Sequence, residues 1–130
     1  MFTINQIKEA HSKVKTGADF PKYMQDIIAL GVTSFETFVF DNHTNYYSKD
    51  NYQIASESFS ETLDIANESN IEQFKSDLKA HQQGKTDYMT FLKDCAKSGV
   101  EKWTVVMDKM TCTYYDKAGN EMFVETIPSV

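Results

Sequence analysis

The chain has 130 residues, 41% of them hydrophobic and 25% charged, a composition that fits one globular domain and is too apolar for a disordered segment. Its net charge of −6 excludes the clustered basic footprint on which nucleic-acid affinity rests. None of the 13 basic residues is arginine, so the planar fork that recognises phosphate or carboxylate in two-pronged fashion is missing.

The first segment carries Ile4, Ile7, His11, Val14 and Ala18 on one helical stripe, opened by a Thr3/Gln6 capping box and stopped by Gly17. Its early charges leave no room for the apolar run of a signal peptide, and no stretch of about 18 apolar residues follows that would span a bilayer. A second helix is predicted from Asp19, with Pro21 in its first turn and Gly31 as its stop. It buries Phe20, Tyr23, Met24, Ile27 and Ile28. The β-branched and aromatic run "VTSFETFVF" then reads as a strand, "DNHT" as a turn, and "NYYS" with "YQIA" as the rest of a three-strand meander.

Residues 57–69 form an acidic connection. Within it "TLDIA" alternates like a short edge strand, and Phe59, Leu63 and Ile65 predict that it folds over the edge or open face of the sheet. Beyond it the pattern recurs at an offset of about 67 to 68 positions. Asn70 and Gln73 take the cap places, and Ile71, Phe74, Leu78 and His81 the stripe. Asp87 falls on Asp19, Gly99 on Gly31, Trp103 on Phe35, and Tyr114 and Tyr115 on Tyr46 and Tyr47. The expected fold is α+β: one domain, 1–130, of two pseudo-symmetric tandem ααβββ repeats, 3–56 and 70–124. Their strands join in a largely antiparallel sheet with the helices packed on one face.

Strand alternation gives Phe35, Thr37, Val39, Trp103, Val105 and Met107 to the helix side. The opposite side takes Ser34, Glu36, Phe38 and Phe40 from the first half, and Lys102, Thr104, Val106 and Asp108 from the second. Each tyrosine pair puts one ring on each side. The candidate binding residues are therefore Phe38, Phe40, Tyr46, Tyr47 and Tyr115, an aromatic patch suited to a protein partner, a planar ligand or a second copy of the chain.

Three histidines are candidates for acid–base work: His11 and His81 on helical stripes, and His43 in a turn beside Asp41. A metal site would need three or four converging ligands, and no such spacing appears. Cys95 reads as a small core residue and Cys112 faces either side of its strand. With no paired spacing, both point to a reduced, cytoplasmic chain. Phosphate loops and nucleophile elbows are absent, so no cofactor is expected.

The segments "DLKAHQQGKTDY" and "TCTYYDKAGNE", with "GVTSFETFVFDNHTNYY", closely resemble the small bacterial YbcV-like proteins, a family of unknown function whose members carry the label phage envelope protein. The resemblance implies a phage or prophage setting and brings no catalytic motif. The favoured expectation is a non-enzymatic binding or interaction module with no membrane or nucleic-acid partner. The alternative is a small cofactor-independent enzyme using a histidine–carboxylate pair.

Overall fold

The computed structural model describes residues 2–14, 19–49, 52–56 and 62–127. The element order is α1 (Ile4–Ser12), α2 (Phe20–Leu30), β1 (Ser34–Phe38), β2 (Thr44–Tyr47) and β3 (Gln53–Ala55). It is followed by α3 (Ile71–Gln82), α4 (Tyr88–Lys97), β4 (Lys102–Val106), β5 (Thr111–Tyr115) and β6 (Glu121–Thr126). The class is α+β, with ααβββ followed by a second ααβββ.

Helix ends are set by local chemistry. In α1 the Gln6 backbone N–H donates to Thr3 Oγ1 while the Thr3 N–H donates to Gln6 Oε1, which closes the capping box. Asn70 and Asp87 cap α3 and α4 through the N–H groups of Gln73 and Thr90. Gly31 ends α2 in the left-handed region at φ 105°, where a side chain would be strained.

The strands form one sheet in the order β3-β2-β1-β4-β5-β6, and every neighbouring pair is antiparallel. The two meanders meet at the centre, where β1 pairs with β4 and Thr37 lies opposite Trp103. Phe35, Thr37, Thr44, Tyr46, Trp103, Val105, Cys112 and Tyr114 are buried on the side that faces the helices. Their strand neighbours on the other side are only partly covered. A bulge between Tyr114 and Tyr115 sets Tyr115 opposite Glu121 and Tyr114 opposite Phe123, so Met122 is the extra residue.

The helices pack mainly as sequence neighbours, α1 with α2 and α3 with α4. Met24, Ile27, Phe74 and Leu92 have essentially no exposed surface and anchor the helices to the core. Burying such side chains stabilises by roughly 1.5–3 kcal/mol each.

Several expectations are corrected. The helix α1 ends at Ser12, short of Val14; Gly17 and Ala18 lie outside the described residues, as do Phe59 and the Phe20 side chain. The first strand ends at Phe38, which moves Phe40 off the sheet face into the β1–β2 turn. "TLDIA" is not a strand: Leu63 and Ala66 donate single backbone hydrogen bonds to Phe40 and Ala96, and Ile65 enters the core. Those bonds fasten the described part of the connection between the β1–β2 turn and α4, where Leu63 lies beside Phe40, Met89 and Leu92.

Candidate functional site

With the helices bound in adjacent pairs, the layer has a gap where the pairs meet above the middle of the sheet. A cavity of about 600 Å³ lies there. Every helix contributes to its walls, with His11 from α1, Tyr23 from α2, His81 from α3 and Phe91 from α4, and the sheet supplies a floor centred on Thr37 and Trp103. That volume is in the range of small-molecule sites.

The walls are aromatic with a few paired polar groups. Tyr23 and Tyr46 bring their hydroxyls to 3.3 Å, and Thr37 and Thr44 bring theirs to 2.8 Å. Burial pushes the Tyr23 and Tyr114 phenols well up and raises that of Tyr46, so they stay protonated and act as neutral donors. The Glu125 carboxylate is held from two other elements: Tyr114 donates to Oε1 at 3.0 Å, and Gln82 Nε2 donates to Oε2 at 2.8 Å. Cys112 also lines the cavity, but burial raises its thiol far above neutrality and removes its nucleophilic form. Cys95, deep in the core, is likewise held as a thiol.

His81 stacks on Phe91 with ring centres 4.4 Å apart, and its Nδ1 lies 3.1 Å from the Thr86 carbonyl. A carbonyl can only accept, so Nδ1 carries the hydrogen, with the Thr86 hydroxyl oxygen also 3.2 Å from it, and Nε2 is the acceptor of the neutral ring. His11 is exposed as a residue, yet its ring meets Tyr23 and Tyr88 edge-on at 5.3 and 6.1 Å. Desolvation lowers both imidazoles from the ordinary 6.5, although for His81 the Thr86 bond, Asp87 and Asp94 pull the other way.

As pH falls through 6.5 the unfolded chain therefore takes up protons before the folded one, and stability declines. The melting temperature is expected to fall between roughly pH 7.5 and pH 5.5, with a flatter profile in a His11→Gln, His81→Gln double variant. Thermal scans of both proteins across that range check it. Equal slopes would assign the dependence to other groups.

The remaining sequence candidates lie elsewhere. His43 pairs with Asp41 at 2.6 Å in the β1–β2 turn and stacks on Phe38 at 4.5 Å, with Phe40 edge-on at 6.2 Å. On the open face Lys102 sits over the Phe38 and Tyr115 rings and 3.5 Å from Glu36, which accepts a hydrogen bond from Tyr47. Tyr46 does not join that face; it is buried against Phe35 and the cavity. Among the described residues no group of three or more His, Cys, Asp or Glu side chains is placed to hold a metal ion. No described helix is long and apolar enough to cross a membrane.

As site residues the sequence points to His11, His81 and Tyr46 on this cavity; Trp103 it gives only to the helix side of the sheet, and Tyr88, Gln82 and Glu125 not at all. The signal that could have linked them is alternation: Glu125 shares its side of β6 with Phe123, which lies opposite Tyr114. Residues 8–126 match the family model described as "Protein of unknown function (DUF1398)", and the chain belongs to that family. No curated protein matches the chain.

Proposed function

For this member of the DUF1398 family we propose that the protein binds a small, largely planar organic molecule in the seam between its two helix pairs. The observation that carries this reading is the cavity itself: about 600 Å³ inside a 130-residue chain, walled by rings and by hydroxyls that satisfy one another. A void of that size forfeits packing contacts unless something fills it. The open sheet face supports docking less well, since Phe38, Tyr47 and Tyr115 are already engaged by His43, Glu36 and Lys102.

Chemistry is less favoured than binding. The His43–Asp41 pair lies in a turn, where the hollow lined by Asp41 holds about 120 Å³, while the cavity histidines neighbour rings and Thr86. The resemblance to YbcV-like proteins adds a prophage setting and the thiol cysteines a cytoplasmic one; both belong to this proposal. So does descent of the two halves from one duplicated module, for which superposition of 3–56 on 70–124 is the test.

Trp103 is the single tryptophan and lines the cavity, so its fluorescence reports occupancy directly. Titration with planar aromatic probes such as quinoline is expected to quench it saturably at one probe per chain. A panel of such probes that leaves Trp103 emission unchanged would sink the reading.

A further inference from the structure

We propose that the cavity selects an organic cation, with the positive charge at the Glu125 carboxylate and the planar body against the rings of Trp103 and Tyr114. The inference rests on the binding reading above and gives its ligand a charge. Glu125 is the one acidic residue on the cavity wall among the described residues, and neither lysine nor arginine lines it there. An anion would meet this carboxylate with no counter-charge. A cation meets a partner and a set of electron-rich faces.

The geometry around Glu125 favours that outcome. Its two oxygens each accept one hydrogen bond, from Tyr114 and from Gln82, which leaves acceptor capacity on both. Those bonds fix the carboxylate instead of neutralising it, because both donors are uncharged. Tyr114 reaches Glu125 with its hydroxyl, while its ring centre lies 6.0 Å from that of Trp103, which in turn lies 5.9 Å from Phe91. The carboxylate is thus continuous with a wall of three aromatic rings, and a cation over such faces gains beyond simple charge pairing.

The histidines do not offset the carboxylate. His81 is tied as a donor through Nδ1 to a carbonyl, and burial keeps both its ring and that of His11 in the neutral form at pH 7. Among the described residues the wall therefore sets the Glu125 carboxyl against no lysine.

Three probes of similar size separate the possibilities: N-methylquinolinium as the cation, quinoline as the neutral body and 1-naphthoate as the anion, each titrated at roughly pH 7.5 against Trp103 emission. The cation is expected to bind about tenfold more tightly than quinoline, and the anion more weakly than either. In Glu125→Gln the advantage of the cation should shrink to about twofold or less while quinoline affinity holds, which also reports that the variant is folded. Equal binding of cation and neutral probe, or tighter binding of the anion, would overturn the charge selection and leave cavity binding standing. Quenching by none of the three would overturn both readings. A Glu125→Gln variant that folds and keeps the full preference would overturn the role given to this carboxylate.

Discussion

Replacing Phe74 with alanine is expected to cost about 3–5 kcal/mol of folding stability, a large share of what a domain of this size has to lose. Phe74 has no exposed surface, and its ring lies 4.7 Å from Tyr114, 6.4 Å from Phe91 and 6.5 Å from Phe123. It is where α3 meets both α4 and the second meander. Deleting it leaves a void that neighbours in two layers cannot all move to fill. Urea unfolding followed by circular dichroism should show a lower midpoint with an unchanged slope, and Phe74→Leu should lose roughly half as much or less. Because Tyr114 and Phe91 also wall the cavity, the alanine variant should weaken probe binding as well. A loss under about 1 kcal/mol would mean that this cluster packs more loosely than its burial implies.

The second large effect is expected at Gly99. This residue sits just past α4 at φ +85°, and an added Cβ would lie 2.8 Å from the Glu68 carbonyl oxygen and 3.0 Å from the Ser69 Cα. Both obstacles are backbone, and that backbone is held by bonds from Asn70 N–H to the Ser98 carbonyl and from Ala66 N–H to the Ala96 carbonyl. Gly119 has almost the same φ, +84°, with nothing within 4 Å of its Cβ position. Gly119→Ala therefore isolates the left-handed penalty, about 1–2 kcal/mol. Gly99→Ala should lose that and a further amount, about 2–4 kcal/mol in all. Denaturation of the two variants side by side checks it, and equal losses would show that the connection along α4 yields freely.

Short-range features were legible in the sequence. The Thr3/Gln6 box, the Asn70 and Asp87 caps and the Gly31 stop depend on residues within a few positions of one another, so local chemistry decides them. Alternation placed Phe35, Thr37, Trp103 and Val105 on the helix side, because a strand has no other way to orient successive side chains. "TLDIA" failed for a related reason: alternation describes any extended segment with one covered side, and whether it joins a sheet depends on partners that the segment does not encode. The cavity was invisible because it belongs to no element. The group formed by Glu125, Tyr114 and Gln82 draws on β6, β5 and α3; alternation relates the first two once the strands are paired, but no spacing or motif brings Gln82 to them.

The two margins of the sheet differ in a way that bears on self-association. At one end β3 presents three described residues; at the other, β6 contains the bulge at Met122 and carries Glu121 and Glu125. A stub and a kinked, acidic rim are both poor templates for lateral growth, since an incoming chain finds too few free backbone groups or the wrong twist and charge. Fibril-like stacking through the described margins of the sheet is thereby discouraged by the strands themselves.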